Sequence, residues 1–282
     1  MMRFLKKSYV FLIFLFLYAP IITLMVFSFN DSRSRGTWSG FTFKWYIQLF
    51  HDRQILTSLY YTIIVGVFSA IIATIIGTAA AIGIHGWHGY KRELIMNFTY
   101  LPVLNPDIVT GIALMILFVF ADLKLGLLTL LLAHITFNIP YVILSVLPKL
   151  KQLDNNTYEA ALDLGATPWY AFKRVILPEI MPGVVTGLIL AFTLSVDDFV
   201  VSFFTTGSGV SNLSITVYSM ARRGINPTIN AVSTLMFVTV LILLIIVNVR
   251  ISKENGLRRG RVNEKQAFNR NRRLTGFSGG NN

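Results

Sequence analysis

Long apolar runs alternate with short polar connectors along this chain. Crossing ~30 Å of hydrocarbon takes about 20 predominantly apolar residues in a helix. Six stretches approach or exceed that length: 8–29, 59–84, 98–121, 125–147, 183–206 and 229–250. The pattern predicts an all-α integral membrane protein with six transmembrane helices. The first, second and sixth runs are clean. The third carries Asp107, the fourth His134 and Pro140, and the fifth Asp197 and Asp198, so these three are atypical. One longer polar segment, 148–182, separates the fourth run from the fifth.

Composition supports that pattern and excludes a soluble domain. The chain is 54% hydrophobic and 13% charged, against roughly 25% charged in ordinary soluble proteins. Arg3, Lys6 and Lys7 ahead of the first run superficially resemble a signal peptide. A signal's apolar region is typically about 7–15 residues and ends at small residues. This run has 22 residues and ends in Ser28-Phe29-Asn30, so it is expected to be a retained first helix. Cysteine is absent, which removes disulfides and thiolate metal sites.

The net charge of +12 matters through its distribution. With the N-terminus inside, 18 of the 25 Lys and Arg fall on cytoplasmic segments and 7 on outer ones. That asymmetry sets orientation and puts both termini and the 148–182 segment on the cytoplasmic side of the membrane; the absence of cysteine fits a bacterial inner membrane. The expected organisation is 1–29, N-terminus and first helix; 30–58, a periplasmic loop; 59–250, the membrane core; and 251–282, a basic tail. The tail is Gly-, Asn- and Arg-rich, a composition that favours disorder and attraction to anionic lipid headgroups. No aromatic interleaving or folded module points to nucleic acid, and no nucleic-acid partner is expected. The outer loop clusters Phe41, Phe43, Trp45 and Tyr46; it either lies along the membrane interface or touches an external partner. Arg222 and Arg223 fall in the last outer loop, solvated or in contact with a binding protein.

The polar segment reads EAALDLGATPWYAFKRVILP over 159–178. Glu159 to Leu164 are mostly good helix formers, and Asn155 or Asn156 can cap the helix with Glu159 in its first turn. Gly165 suits the left-handed residue that ends a helix. Thr167 then caps a second helix with Pro168 at its first position, running to about Leu177 before Pro178. Small Ala160 and Ala161 permit close approach by another protein; the competing description is an amphipathic connector lying on the membrane.

The triplet Glu159-Ala160-Ala161, Gly165 four residues on, and Leu177-Pro178 at the close together resemble the coupling loop of permease subunits in ATP-binding-cassette importers. Val175 stands where that family usually has Ile. The likeness spans roughly 55–250, and LPVLNPDIVTGIAL (101–114), HITFNIPYVI (134–143) and LSVDDFVVSFFTTG (194–207) are similar to the spermidine/putrescine branch. The resemblance implies a type I importer permease fold, a five-helix core plus an N-terminal helix. It implies as partners a homologous second permease, two cytosolic ATPase subunits gripping the loop, a periplasmic substrate-binding protein and membrane lipid. No Gly-Lys dipeptide occurs, so a G-x-x-x-x-G-K-[ST] phosphate loop is missing. ATP and Mg are expected on the partner ATPase, with no cofactor in this chain.

Carboxylates at membrane depth cost at least ~2.5 kcal/mol each and usually face a cavity. Asp107, Asp197 and Asp198 are therefore expected on the substrate path, with Phe199 and Phe203 offering cation–π surfaces. Adjacent helical residues diverge by about 100°, so Asp197 and Asp198 need not share a role; both could also be solvated or capping. Asn105-Pro106-Asp107 also reads as cap, first-turn proline and first-turn acid, and a short, Pro-interrupted segment is itself a pointer to a cavity. His134 and Asn138 either line the same path or bond between helices. His85 and His88 flank Trp87 without the carboxylates or thiols a metal needs. The loop cannot choose among polyamine, iron, sulfate, phosphonate and sugar importers. An intramembrane enzyme using Asp197 and Asp198, or a scaffold, are the rivals from other classes.

Overall fold

The structure is a computed structural model that describes residues 2–32, 37–153, 155–223, 227–242 and 245. Two compact units result, Met1–Val238 and Thr239–Asn282, and the helical bundle belongs to the first. The tail at 251–282 and most of the sixth run beyond Ile242 lie outside the described residues.

Among the described residues the regular structure is helical. Helix α1 (Met2–Phe27) is followed by the short α2 (Lys44–His51) and by α3 (Arg53–Gly86). The apolar window of α1 is entirely unburied within the chain. Helix α3 starts six residues before the hydropathy boundary because Asp52 caps it, accepting from the Gln54 N–H at 2.9 Å and the Ile55 N–H at 3.2 Å. Its 34 residues rise roughly 51 Å, so it must tilt or project beyond the hydrocarbon.

The third apolar run is two helices, not one. Helix α4 (Tyr90–Leu104) and helix α5 (Asp107–Phe120) meet at a 106° bend. Pro106 forces Asn105 into extended backbone, φ −75° and ψ 145°, because its ring disfavours the helical region for the preceding residue. Asn105 thereby ends α4, Pro106 flanks α5, and Asp107 takes the first helical position. This corrects the expectation of Asn105 as cap and Pro106 inside the first turn.

Helix α6 (Leu127–Leu150) matches the fourth run and retains Pro140 and Pro148 in its interior. After it come α7 (Asn155–Asp163) and α8 (Pro168–Ala171). A π-turn (Phe172–Ile176) leads directly into α9 (Leu177–Asp197). Pro178 therefore does not stop the segment, as expected from sequence, but lies in the first turn of α9. A proline there lacks an N–H that would have no intrahelical partner anyway, and the wider preceding turn shifts the helical register at that point.

The fifth run is also broken: α9 ends at Asp197 and α10 (Val200–Thr205) follows after two residues. Then come α11 (Leu213–Arg223) and the shorter apolar α12 (Thr228–Ile242). Helices α3, α6 and α9 form the core, with Ala70, Ala81, Val142, Val146, Ile180 and Ala191 buried together. The α6–α9 approach depends on Gly183, where a Cβ would lie 2.9 Å from the Ser145 carbonyl oxygen; small residues let membrane helices pack this closely. Leu114 and Phe118 of α5 meet Ala133 of α6 and Val201 of α10 in a second cluster.

Candidate functional site

The segment singled out by its Glu-Ala-Ala triplet folds as a helix, a glycine turn and a second helix. Gly165 has φ +84°, the left-handed conformation that only glycine adopts cheaply. The Gly165 N–H donates to the Leu162 carbonyl at 2.9 Å and the Ala166 N–H to Ala161 at 3.1 Å, the paired bonds that close a helix C-terminus. Thr167 caps the next helix, accepting from the Tyr170 N–H at 3.3 Å, with Pro168 at its first position. Because α7 is already helical at Asn155, neither Asn155 nor Asn156 stands outside it as a cap, and Glu159 falls beyond the first turn.

Around that turn the surface is open. Ala161, Leu164, Gly165, Ala166, Thr167 and Tyr170 line a shallow hollow. Leu164 is 89% exposed and Trp169 71%, while Glu159, Ala160 and Pro178 are also exposed and Leu177 is half-buried. Leu164 at the hollow and Trp169, its ring stacked on Phe172 at 5.5 Å, leave two large apolar side chains exposed on this surface, which suits a protein partner.

The acidic residues divide by environment. Asp107 heads α5 and is exposed, as is Asp197 at the end of α9. Neither carboxylate accepts a hydrogen bond among the described residues. Asp198 differs: its side chain is only 6% exposed. It accepts from the Val201 N–H at 3.2 Å, the Ser202 N–H at 2.7 Å and the Ser202 hydroxyl at 2.8 Å, and so caps α10. His134 Nε2 lies 3.7 Å from the same carboxylate and 3.0 Å from the Ser202 hydroxyl. Because His134 sits seven residues into α6, the break lies roughly 10 Å along that helix from its Leu127 end.

Phe199 and Phe203 follow Asp197 along the chain, their rings 5.5 Å apart, and Phe199 lies 4.5 Å from Tyr218. Phe203 is 51% exposed. Arg222 is in the last turn of α11, not in a loop, with its guanidinium 5.9 Å from the Tyr218 ring. His134 and Asn138 both bond between helices: Asn138 Nδ2 donates to the Ser195 hydroxyl at 2.7 Å, and Ser195 meets Ser69 at 3.0 Å.

Several members of this buried polar set carried no signal along the sequence. Asn212 is 2% exposed; its amide donates to the Asp198 carbonyl at 3.1 Å and to the Ser202 hydroxyl at 2.7 Å. Thr62 accepts from the Leu213 N–H at 2.7 Å, and Ser58 meets Thr216 at 2.7 Å. Ser, Thr and Asn in an apolar chain are common, and only the fold reveals which are buried together. No grouping of three or more His, Asp or Glu suited to a metal occurs among the described residues.

Long apolar helices, two breaks at acidic residues and a helix–glycine–helix surface define a multi-pass membrane transport component. The chain belongs to the family of binding-protein-dependent transport system inner membrane components, which matches residues 73–253. It is 39% identical over 243 residues to the spermidine/putrescine transport system permease protein PotC of Escherichia coli K12, covering 86% of this chain and 92% of that protein. PotC of Haemophilus influenzae is 34% identical over 252 residues, covering 89% and 98%. The E. coli putrescine transport system permease protein PotI is 38% identical over 230 residues, covering 79% and 82%. Among solved structures, a chain of a bacterial ABC transporter for alginate superposes with a TM-score of 0.70 at 17% identity, covering 89% of this chain and 95% of that one. The fold is thus that of ABC importer permeases. The family is a transport component and not an enzyme.

Proposed function

We propose that the chain is a permease subunit of an ATP-driven importer for polyamines such as spermidine and putrescine. It works with a second, homologous permease, two ATPase subunits that bind ATP and Mg, and an external substrate-binding protein. Both termini and the 148–182 segment face the cytoplasm, in line with the excess of Lys and Arg on those segments. The identity to PotC and PotI over most of the chain supports the polyamine assignment.

The observation that carries the mechanism is the pair of interrupted helices. Asp107 and Asp197 stand exposed at helix ends, without hydrogen-bond partners among the described residues, and the paired rings of Phe199 and Phe203 follow Asp197 in the chain. Interrupted helices with polar ends are how transporters build a site at membrane depth. A polycation gains charge pairing from the two acids and cation–π attraction from the rings. Asp198 contributes differently, holding α10 in place so that Asp197 and Phe199 are presented. Closure of the ATPase dimer is transmitted through Glu159, Ala160, Ala161, Gly165, Leu177 and Pro178.

Uptake of radiolabelled spermidine by cells expressing the full transporter tests this, with putrescine, spermidine and neutral analogues as competitors. Cationic polyamines should compete and neutral analogues should not. Competition by a neutral sugar or an oxyanion instead would reassign the substrate to another importer class. Glu159→Lys should abolish co-purification with the ATPase; retained transport in that variant would remove the coupling role.

A further inference from the structure

We propose that the loop between α1 and α3 is an interfacial anchor, a preorganised aromatic platform seated in the headgroup zone of the bilayer. Among its described residues the loop is tied together by a set of hydrogen bonds. The Asn30 side chain donates to the Thr37 carbonyl at 2.8 Å and accepts from the Ser39 N–H at 2.9 Å. Its backbone carbonyl accepts from the Trp45 indole at 2.7 Å. Ser28 and Tyr46 meet at 2.7 Å, and the Thr42 N–H donates to the Phe29 carbonyl at 2.8 Å. These bonds fix the loop against the core through Trp45 and Leu49, each 2% exposed and packed with Ile55, Leu213 and Val232.

The opposite side of the loop is apolar and uncovered. Phe41 is 64% exposed, Phe43 56%, Ile47 61% and Phe50 56%. In water a surface of this kind is unfavourable at roughly 25 cal/mol per Å², and soluble faces seldom carry so many aromatics together. The occupant follows from continuity. Val26, in the last turn of α1, is 49% exposed; Phe29 then stacks on Phe41 at 5.2 Å and meets Phe43 edge-on at 5.6 Å. Ile47 and Phe50 carry the apolar strip along α2, and Leu56 and Tyr60 continue it on α3. The strip therefore joins the exposed apolar faces of two candidate membrane spans, at the C-terminal end of α1 and the N-terminal end of α3. Aromatic rings with nearby cations, here Lys44 and Arg53, suit that zone. The platform gives α1, which lacks any buried apolar window, a fixed attachment to the bundle and to the membrane surface.

Absence of native cysteine makes the test direct. Single-cysteine variants Phe43→Cys, Ile47→Cys and Phe50→Cys of the full chain are spin-labelled and placed in phosphatidylethanolamine/phosphatidylglycerol nanodiscs, alone and co-assembled with the other transporter subunits. Collision rates with oxygen and with a water-soluble nickel chelate report depth. Labels at 43, 47 and 50 should collide with nickel severalfold less than one at exposed Lys91, and more than one at Ile63 on the outer face of α3. These values should persist on assembly. Nickel accessibility equal to that at Lys91 would overturn the proposal in favour of a solvated loop. Loss of collisions with both reagents on assembly would overturn it in favour of a protein partner.

Discussion

The break between α4 and α5 and the break between α9 and α10 both leave a carboxylate at a helix end, yet their physical origins are opposite. The first is covalent and local. Pro106 restricts Asn105 to extended backbone, α4 stops, and Asp107 is left exposed at the head of α5. The second has no proline or glycine at the break. Asp198 turns away from the helix at φ −64° and ψ 126°, and its carboxylate takes three bonds from α10 with His134 3.7 Å away, while the Asn212 amide donates to its backbone carbonyl. A break encoded in the backbone leaves its acid free for a ligand. A break made by side chains consumes the acid that makes it.

The largest expected effect tests that second statement. Asp198→Ala leaves the Val201 and Ser202 N–H groups and the Ser202 hydroxyl without their shared acceptor, and removes the carboxylate 3.7 Å from His134. Removing one member of a buried charged set typically costs about 3 kcal/mol, and thermal unfolding of the purified chain in detergent should show a correspondingly lower midpoint. A midpoint no lower than that of Asp197→Ala would erase the distinction between the neighbours. Asn212→Ala should cost less, about 1–2 kcal/mol, since it removes donors to the Asp198 carbonyl and Ser202. Denaturant titration of the same preparation checks it.

Pro106→Ala probes the first break. Stability should change by less than about 1 kcal/mol, because no buried bond is lost, while the 106° bend should relax. Spin labels at Leu94 and Ile116 should move apart; an unchanged distance would mean that tertiary packing, and not the proline, sets the bend. The smallest effect on stability belongs to Asp197→Asn, within about 0.5 kcal/mol as for an exposed side chain. Its polyamine uptake should nevertheless fall severalfold in a transport assay. Unchanged uptake in both Asp197→Asn and Asp107→Asn would remove the cation-binding role of free helix-end acids.

Features with local causes were legible along the chain. The six apolar runs, the glycine turn at Gly165, and the Thr167-Pro168 helix start each follow from a few neighbouring residues, and the structure contains the turn and the start as expected. Pro178 reads locally as a helix stop, but the π-turn before it places that proline in the first turn of α9. The start of α3 was missed because hydropathy ignores polar residues at a helix end, while the Asp52 cap begins the helix there. Asp197 and Asp198 could not be separated, since sequence spacing states that they diverge but not which one meets His134.

The sequence by itself determined that this is a multi-pass helical membrane protein, which segment lies between its fourth and fifth apolar runs, and that Pro106 interrupts the third. Each of these rests on composition over a window or on the stereochemistry of one residue and its neighbours. The tertiary structure alone decided that Asp198 is a buried cap, that Asn212 bonds its backbone carbonyl while Ser195 and Thr62 pair between other helices, and that the aromatic loop shows one face to the core and the other outward. Those outcomes depend on hydrogen bonds between residues as far apart as Thr62 and Leu213. Such pairings form only after the helices pack, since their strength comes from the exclusion of water.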